Sequence, residues 1–272
     1  MTNSVRAAWL ALAVIPAALD SGGSSPLSPW VVWTMWMTVA LAVLVPHPLS
    51  LTTCRFIAPM FVAHLTWIVA NAGSTVQWGS VVGLILATVV CIASFTSRFG
   101  AAHAQAAAYG HERRHLLRPP VSVVLPVALL WLIAVTTASI AVHADTMPTA
   151  GVATAVFAAL LAFSLHRALV LARRWLVFVP AGIAIHDPLV LRDTFMVRSH
   201  EVQALRHAPN DTEAFDLTCA TWGVPLEIVL SHPHDVSLSK FGARVSRTLD
   251  RLHVTALLIA PTRATEALAA RT

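Results

Sequence analysis

Along the first 172 residues, apolar positions come in blocks long enough to cross a bilayer, and the polar positions fall between the blocks. A membrane-spanning helix needs about 20 mostly apolar residues, with a range of roughly 17–25. Blocks of that size lie at about 5–21, 29–46, 54–71, 78–96, 121–142 and 149–171. After residue 172 the pattern changes to short runs. Trp175 to Val179 and Ile183 to His186 flank the turn Pro180-Ala181-Gly182, and Asp187-Pro188 ends the second run, which is a hairpin signal. Further short runs follow at Thr194 to Arg198, Phe215 to Thr221, Pro225 to Leu230 and Ala256 to Ala260. Phe215, Leu217 and Cys219 alternate with Asp216, Thr218 and Ala220, giving one apolar face. Pro261 then precedes a short helix over 262–271.

The pattern therefore predicts a membrane all-α bundle of six transmembrane helices over 1–172. A small, mainly β cytoplasmic domain over 173–272 follows it, a barrel or sandwich closed by a C-terminal helix. The weakest block is the first. Its apolar run, Ala7 to Leu19, is short and contains Pro16. It is read as a retained anchor, with a cleaved signal peptide as the alternative; against cleavage, Ala17-Ala18-Leu19 puts Leu where a small residue is needed.

Charge fixes the expected orientation. Arg6, Arg55, the group Arg98, Arg113, Arg114 and Arg118, and the pair Arg173-Arg174 all fall in segments on one side. The 22–28, 72–77 and 143–148 loops on the other side carry no Lys or Arg. Cytoplasmic loops carry the basic excess, so both termini are expected in the cytoplasm of a multi-pass cell (inner) membrane protein. Trp30, Trp33, Trp67 and Trp78 then lie at the outer interface, a depth that amphipathic rings prefer. Trp131 lies mid-span and is expected to pack against another helix.

Composition sharpens this picture. The chain is 57% hydrophobic and only 11% charged, against roughly 45–50% and about 25% for soluble domains. That excludes a soluble enzyme, a disordered chain and a disulfide-stapled secreted domain. The net charge of +5 belongs mostly to short loops beside the apolar blocks. It marks topology, and no nucleic-acid partner is expected. Cys54, Cys91 and Cys219 are far apart in sequence, so three reduced thiols are expected.

The order of the last 100 residues resembles the bacterial pleckstrin-homology-like (bPH) domains of multi-span membrane proteins. The likeness rests on Arg174 through Asp187, the later strand pairs, and Leu258-Ile259-Ala260-Pro261 leading into a helix. It implies a module that docks proteins or lipid head groups and brings no catalytic residues with it. Lipid-binding versions rely on a basic pocket, whereas here 11 basic residues are matched by 10 acids.

Candidate chemistry is sparse. No Asp, Glu or Lys lies mid-span, where ion-coupled transporters usually carry them. The one deep ionisable residue is His64, read as a neutral histidine bonded to a neighbouring helix, with a proton or metal relay as the alternative. Gly151, Ala155 and Ala159 share one helical face and would let helices pack closely. His111-Glu112-Arg113-Arg114-His115 matches H-E-x-x-H, which on a helix can hold zinc between two His while the Glu activates water. Its two Arg and the nearby Pro119-Pro120 favour a cationic loop instead. His232-Pro233-His234-Asp235 is read as a polar turn, with a surface metal site as the alternative. Asp187, Asp193 and Glu201 beside Arg192 and Arg198 are read as cross-strand ion pairs. No P-loop or G-x-S-x-G is present.

The expected function is non-enzymatic: a docking or assembly factor for cell-envelope proteins, acting through the cytoplasmic domain. Arg113, Arg114, Arg118, Arg173 and Arg174 are the expected membrane-surface contacts, and His64 the possible intramembrane polar site. No catalytic residue, cofactor or metal is assigned. The expected partners are the lipid bilayer and another membrane or cytoplasmic protein. A transporter or channel is the alternative, and a membrane zinc hydrolase using His111, Glu112 and His115 the remote one.

Overall fold

A computed structural model describes residues 2–15, 19, 27–72 and 77–270. Pro16, the Ala17-Ala18 pair, and most of the 22–28 and 72–77 loops lie outside the described residues. The chain divides into two compact units, Met1–Ala106 with Trp131–Leu165, and Ala107–Leu130 with His166–Thr272.

The first unit is helical. Among the described residues, four helices are long and apolar enough to cross a membrane: α3 (Pro48–Asn71), α4 (Trp78–Phe95), α6 (Val121–Val142) and α7 (Met147–Ala172). The six expected spans thus narrow to four. The second block forms α2 (Pro29–Leu44), 16 residues, which at 1.5 Å per residue is about 24 Å long, short of the ~30 Å hydrocarbon core. Among the described residues, the first block forms the 10-residue α1 (Thr2–Ala11) and a 3-10 turn, Leu12–Val14. Pro59 and Pro126 sit inside α3 and α6, which continue through them.

Side chains bind this unit together in ways the apolar pattern does not specify. Trp9 and Trp36 exchange indole bonds, Nε1 of each donating to the other's carbonyl at 2.9 and 3.0 Å. Trp9 also packs on Phe61 with ring centroids 5.1 Å apart. Trp131 meets Phe56 edge-on at 6.4 Å, the helix contact expected of it. The basic residues of the short loops cap helices. Arg6 Nε donates to Val43 O at 2.9 Å, and Arg55 Nε to Ser94 O at 3.0 Å. Those carbonyls lie in the last turns of α2 and α4, where acceptors lack helical partners and the dipole favours a cation. Gly151, Ala155 and Ala159, by contrast, are exposed, and a Cβ on Gly151 would meet open space.

The second unit holds two four-stranded sheets. The first runs β1 (Arg113–Leu116), β2 (Trp175–Val179), β3 (Gly182–His186), β4 (Phe195–Arg198), all antiparallel. The second has the order β5 (Val202–His207), β7 (Leu226–Ser237), β8 (Arg251–Ile259), β6 (Phe215–Asp216), with β6 parallel to β8. Helices α8 (Lys240–Ser246) and α9 (Ala264–Ala269) complete it; Ser239 caps α8, its Oγ accepting from Gly242 N–H at 2.9 Å. One core fills the unit, with Leu176, Ile185, Leu226 and Leu257 fully buried.

The expected hairpin is present, with Pro180-Ala181 as a two-residue turn between Val179 and Gly182. Other expectations change. The 97–120 loop contains α5 (Ser97–Ala106) and β1. Arg113-Arg114-His115-Leu116 has no alternation of its own; pairing with β2 makes it a strand. The Phe215–Thr221 run stops as a strand at Asp216, because Cys219 and Ala220 turn left-handed at φ 54° and 58°. His232 to Asp235, expected as a turn, is extended within β7, where the register against β8 slips between Val229 and His234. Pro233 falls in that slip, where a missing N–H is tolerated.

Candidate functional site

The chain enters and leaves the β unit by two passages beside long apolar helices. Leu117 to Pro120 runs into α6, and Arg173-Arg174 follows α7. Both passages meet at one buried charge. Arg174, 1% exposed, donates Nε to Asp187 Oδ1 at 2.8 Å and Nη2 to Asp187 Oδ2 at 2.6 Å. Its third nitrogen, Nη1, donates to Arg118 O at 2.8 Å. Asp187 Oδ1 also accepts from the N–H groups of Leu189 and Val190, at 3.1 and 3.3 Å. The bidentate pair suits the planar guanidinium fork, and both ions are buried with their partners in place, which an uncompensated charge could not be.

Backbone bonds complete this clamp. Leu117 N–H donates to Arg174 O at 2.9 Å, Arg118 N–H to Ala260 O at 2.7 Å, and Thr262 N–H to Leu116 O at 2.8 Å. The two passages and the end of β8 are therefore one hydrogen-bonded piece. The loop after β6 joins it. Arg118 Nη1 donates to Trp222 O at 2.9 Å, and Thr221 Oγ1 to Pro119 O at 3.0 Å. Gly223 is left-handed at φ 85°, and a Cβ there would run into the Arg118 guanidinium. This leaves Trp222 and Val224 exposed, tethered two residues from the start of α6.

The expected membrane-surface arginines therefore separate. Arg113 and Arg173 are exposed. Arg114 lies over the Trp175 ring, 4.7 Å from its centroid, and bonds Glu112 Oε2 through Nε at 3.1 Å and Nη2 at 2.8 Å. That bond holds the Glu112 carboxyl below its ordinary range. Arg118 is held by the Trp222 loop. Arg174 is corrected outright: it is a buried structural cation and no lipid contact.

The H-E-x-x-H segment is not helical. His111 lies in a turn and Arg113–Leu116 is β1. An extended backbone rises about 3.3 Å per residue against 1.5 Å in a helix, so residues i and i+4 no longer stack one turn apart. Glu112 is already engaged with Arg114, and His115 packs edge-on to Phe178 at 5.6 Å. Burial lowers the His115 pKa below its ordinary value. The helical placement that zinc hydrolysis requires is missing.

His64 is 6% exposed on α3 and packs beside Phe61. Its Nδ1 has no hydrogen-bond partner among the described residues. Asp187 and Glu201, expected to pair across strands, go to different partners, Asp187 to Arg174 and Glu201 to the surroundings of His232 and His234. A carboxylate that the sequence does not single out, Glu227, is 4% exposed and bonds Arg206 Nε at 2.8 Å and Thr212 Oγ1. Cys54, Cys91 and Cys219 are free, and burial pushes the Cys219 thiol up to about 11.

The geometry is that of a two-sheet β unit that holds a buried ionic clamp of Arg174, Asp187 and the Arg118 carbonyl. No family model, curated protein or solved structure matches the chain.

Proposed function

We propose that this protein is a non-enzymatic docking or assembly factor of the cell (inner) membrane. Its helices sit in the bilayer, both termini face the cytoplasm, and its β unit acts as a pleckstrin-homology-like module that positions a cell-envelope protein partner at the membrane surface. The observation that carries this reading is the Arg174–Asp187–Arg118 clamp. It ties the two passages that lead to α6 and α7 into one hydrogen-bonded piece with the β unit, as a docking platform needs. Exposed Arg113 and Arg173 then lie against anionic lipid, each worth about 1 kcal/mol near the surface. Trp222 takes the interfacial depth that indoles favour.

The test is purification of the full chain from its native membranes in mild detergent, with partners quantified by mass spectrometry. A near-stoichiometric protein partner, lost when residues 175–272 are deleted, is the expected result. A homogeneous species without partners overturns the reading.

One observation favours a second reading, a transporter or channel without ion-coupling acids: the buried Nδ1 of His64 that finds no partner among the described residues. A polar solute path past α3 would supply one. Flux into proteoliposomes that is lost in His64→Leu would establish that path, and flux unchanged by the substitution would remove it.

A further inference from the structure

The β5–β7 register sets Val202 opposite Leu230. This brings Glu201, the last residue before β5, alongside the next stretch of β7. That stretch holds His232 and His234, two residues apart on an extended chain, so both side chains leave the same face. The register slip at this point draws the two rings into a stack, centroids 4.5 Å apart and planes 30° apart. Glu201 Oε1 lies 3.6 Å from His232 Nε2, and Glu201 Oε2 lies 3.4 Å from His234 Nε2. The three donor groups fall within 4.8 Å of one another.

These separations do not suit a direct N–H···O bond, which prefers about 2.7–3.2 Å. They do suit a shared cation. Ligands at about 2.0–2.2 Å from a tetrahedral zinc ion lie about 3.3–3.6 Å from each other. The outer contacts point the same way. His234 Nδ1 faces the His232 carbonyl at 3.0 Å. A carbonyl only accepts, so Nδ1 carries the proton and Nε2 keeps its lone pair toward Glu201. His232 Nδ1 is likewise taken up, by Ser231 Oγ at 2.9 Å. The Glu201 carboxylate is itself oriented, Oε2 accepting from Arg198 N–H at 2.9 Å. Metal-ligating histidines and carboxylates are held by outer bonds of this kind.

We propose that Glu201, His232 and His234 form a binding site for a divalent transition-metal ion of the zinc type. Two imidazoles and a carboxylate select zinc, copper or nickel over magnesium and calcium. Three protein ligands leave a fourth position open to water, and His232, 54% exposed, gives the ion its entry. The bound ion staples the start of β5 to the slipped stretch of β7. This inference stands apart from the docking function, and the test below reads metal alone.

The test uses the full chain in detergent, carrying a tag without histidine and stripped with a chelator. Zinc is titrated by calorimetry, and cobalt is used to read the coordination sphere by its visible absorption. One saturable site per chain is expected, unaffected by excess magnesium. His232→Ala, His234→Ala and Glu201→Gln should each weaken it by at least about tenfold, the scale on which even outer contacts act. His111→Ala and His253→Ala should leave it unchanged, the latter because His253 belongs to the neighbouring Asp235 pair. All these variants are checked for native circular dichroism. Absence of saturable uptake overturns the proposal, as does uptake that survives in the correctly folded His232→Ala/His234→Ala double variant.

Discussion

The two units of this chain put the same apolar residues on opposite sides. In the helical unit, Ile85, Val89 and Ile92 of α4 are 57%, 52% and 64% exposed, while in the β unit Leu176, Ile185 and Leu257 are fully buried. The difference teaches that burial follows the solvent. Lipid is as apolar as leucine, so a spanning helix gains nothing by hiding it, whereas water drives it inward at about 25 cal/mol per Å². Cations divide the same way. Arg6 and Arg55 bond the carbonyls of helix ends, and Arg174 bonds a carboxylate inside a core.

The sharpest way to break that contrast is to strip the clamp. Asp187→Ala leaves Arg174 charged and buried without its partner, and should destabilise the β unit by about 3–5 kcal/mol. Hydrogen exchange across Trp175–Val179 reads this directly. The double variant Arg174→Met/Asp187→Leu should cost less than Asp187→Ala alone, since no orphan charge remains. Exchange rates in Asp187→Ala equal to those of the parent chain would remove the clamp from the account.

Next in size comes a matched pair of truncations. Ile185→Ala in the β core should cost about 2–5 kcal/mol. Ile85→Ala, on the exposed face of α4, should stay within about 0.5 kcal/mol. Thermal unfolding in one detergent compares the two, and equal losses would mean that α4 is covered after all. Arg55→Ala removes a charged donor from the last turn of α4 and should cost about 1.5–3 kcal/mol of helical-unit stability.

The smallest effect concerns pH. Burial lowers the pKa of His115 and of His186 in the folded β unit. The unfolded chain then binds more protons than the folded one below about 6.5. Stability is therefore fully present above that value and falls as pH drops from it toward the lowered folded values. In His115→Phe the decline between pH 7 and pH 5 should be shallower, as read by melting temperature against pH. A parallel curve would assign the decline to other groups.

Much of the architecture is legible in the residues. Length and hydropathy alone mark α3, α4, α6 and α7, because a spanning helix needs only a long apolar block. The Trp175–His186 hairpin is equally local, its two runs joined by a two-residue turn. The closing helix follows from Pro261 and the apolar side of the residues after it. Each of these signals lies within about 25 residues, the range over which periodicity and turn chemistry act.

What escapes the sequence is what depends on register between distant segments. Arg113–Leu116 becomes a strand only because β2, whose first residue Trp175 pairs with Leu116 59 residues earlier, offers a paired edge. Arg174 resembles its exposed neighbour Arg173 until the fold sets Asp187 against it. His232 and His234 look like a polar turn until β5 delivers Glu201. The sequence by itself determined which segments seek lipid and which form short strands, since those preferences are properties of each stretch and its solvent. Tertiary structure alone decided which charges are buried and which side chains converge, because convergence depends on strand pairing and on the slip within β7, and neither is written in any local pattern.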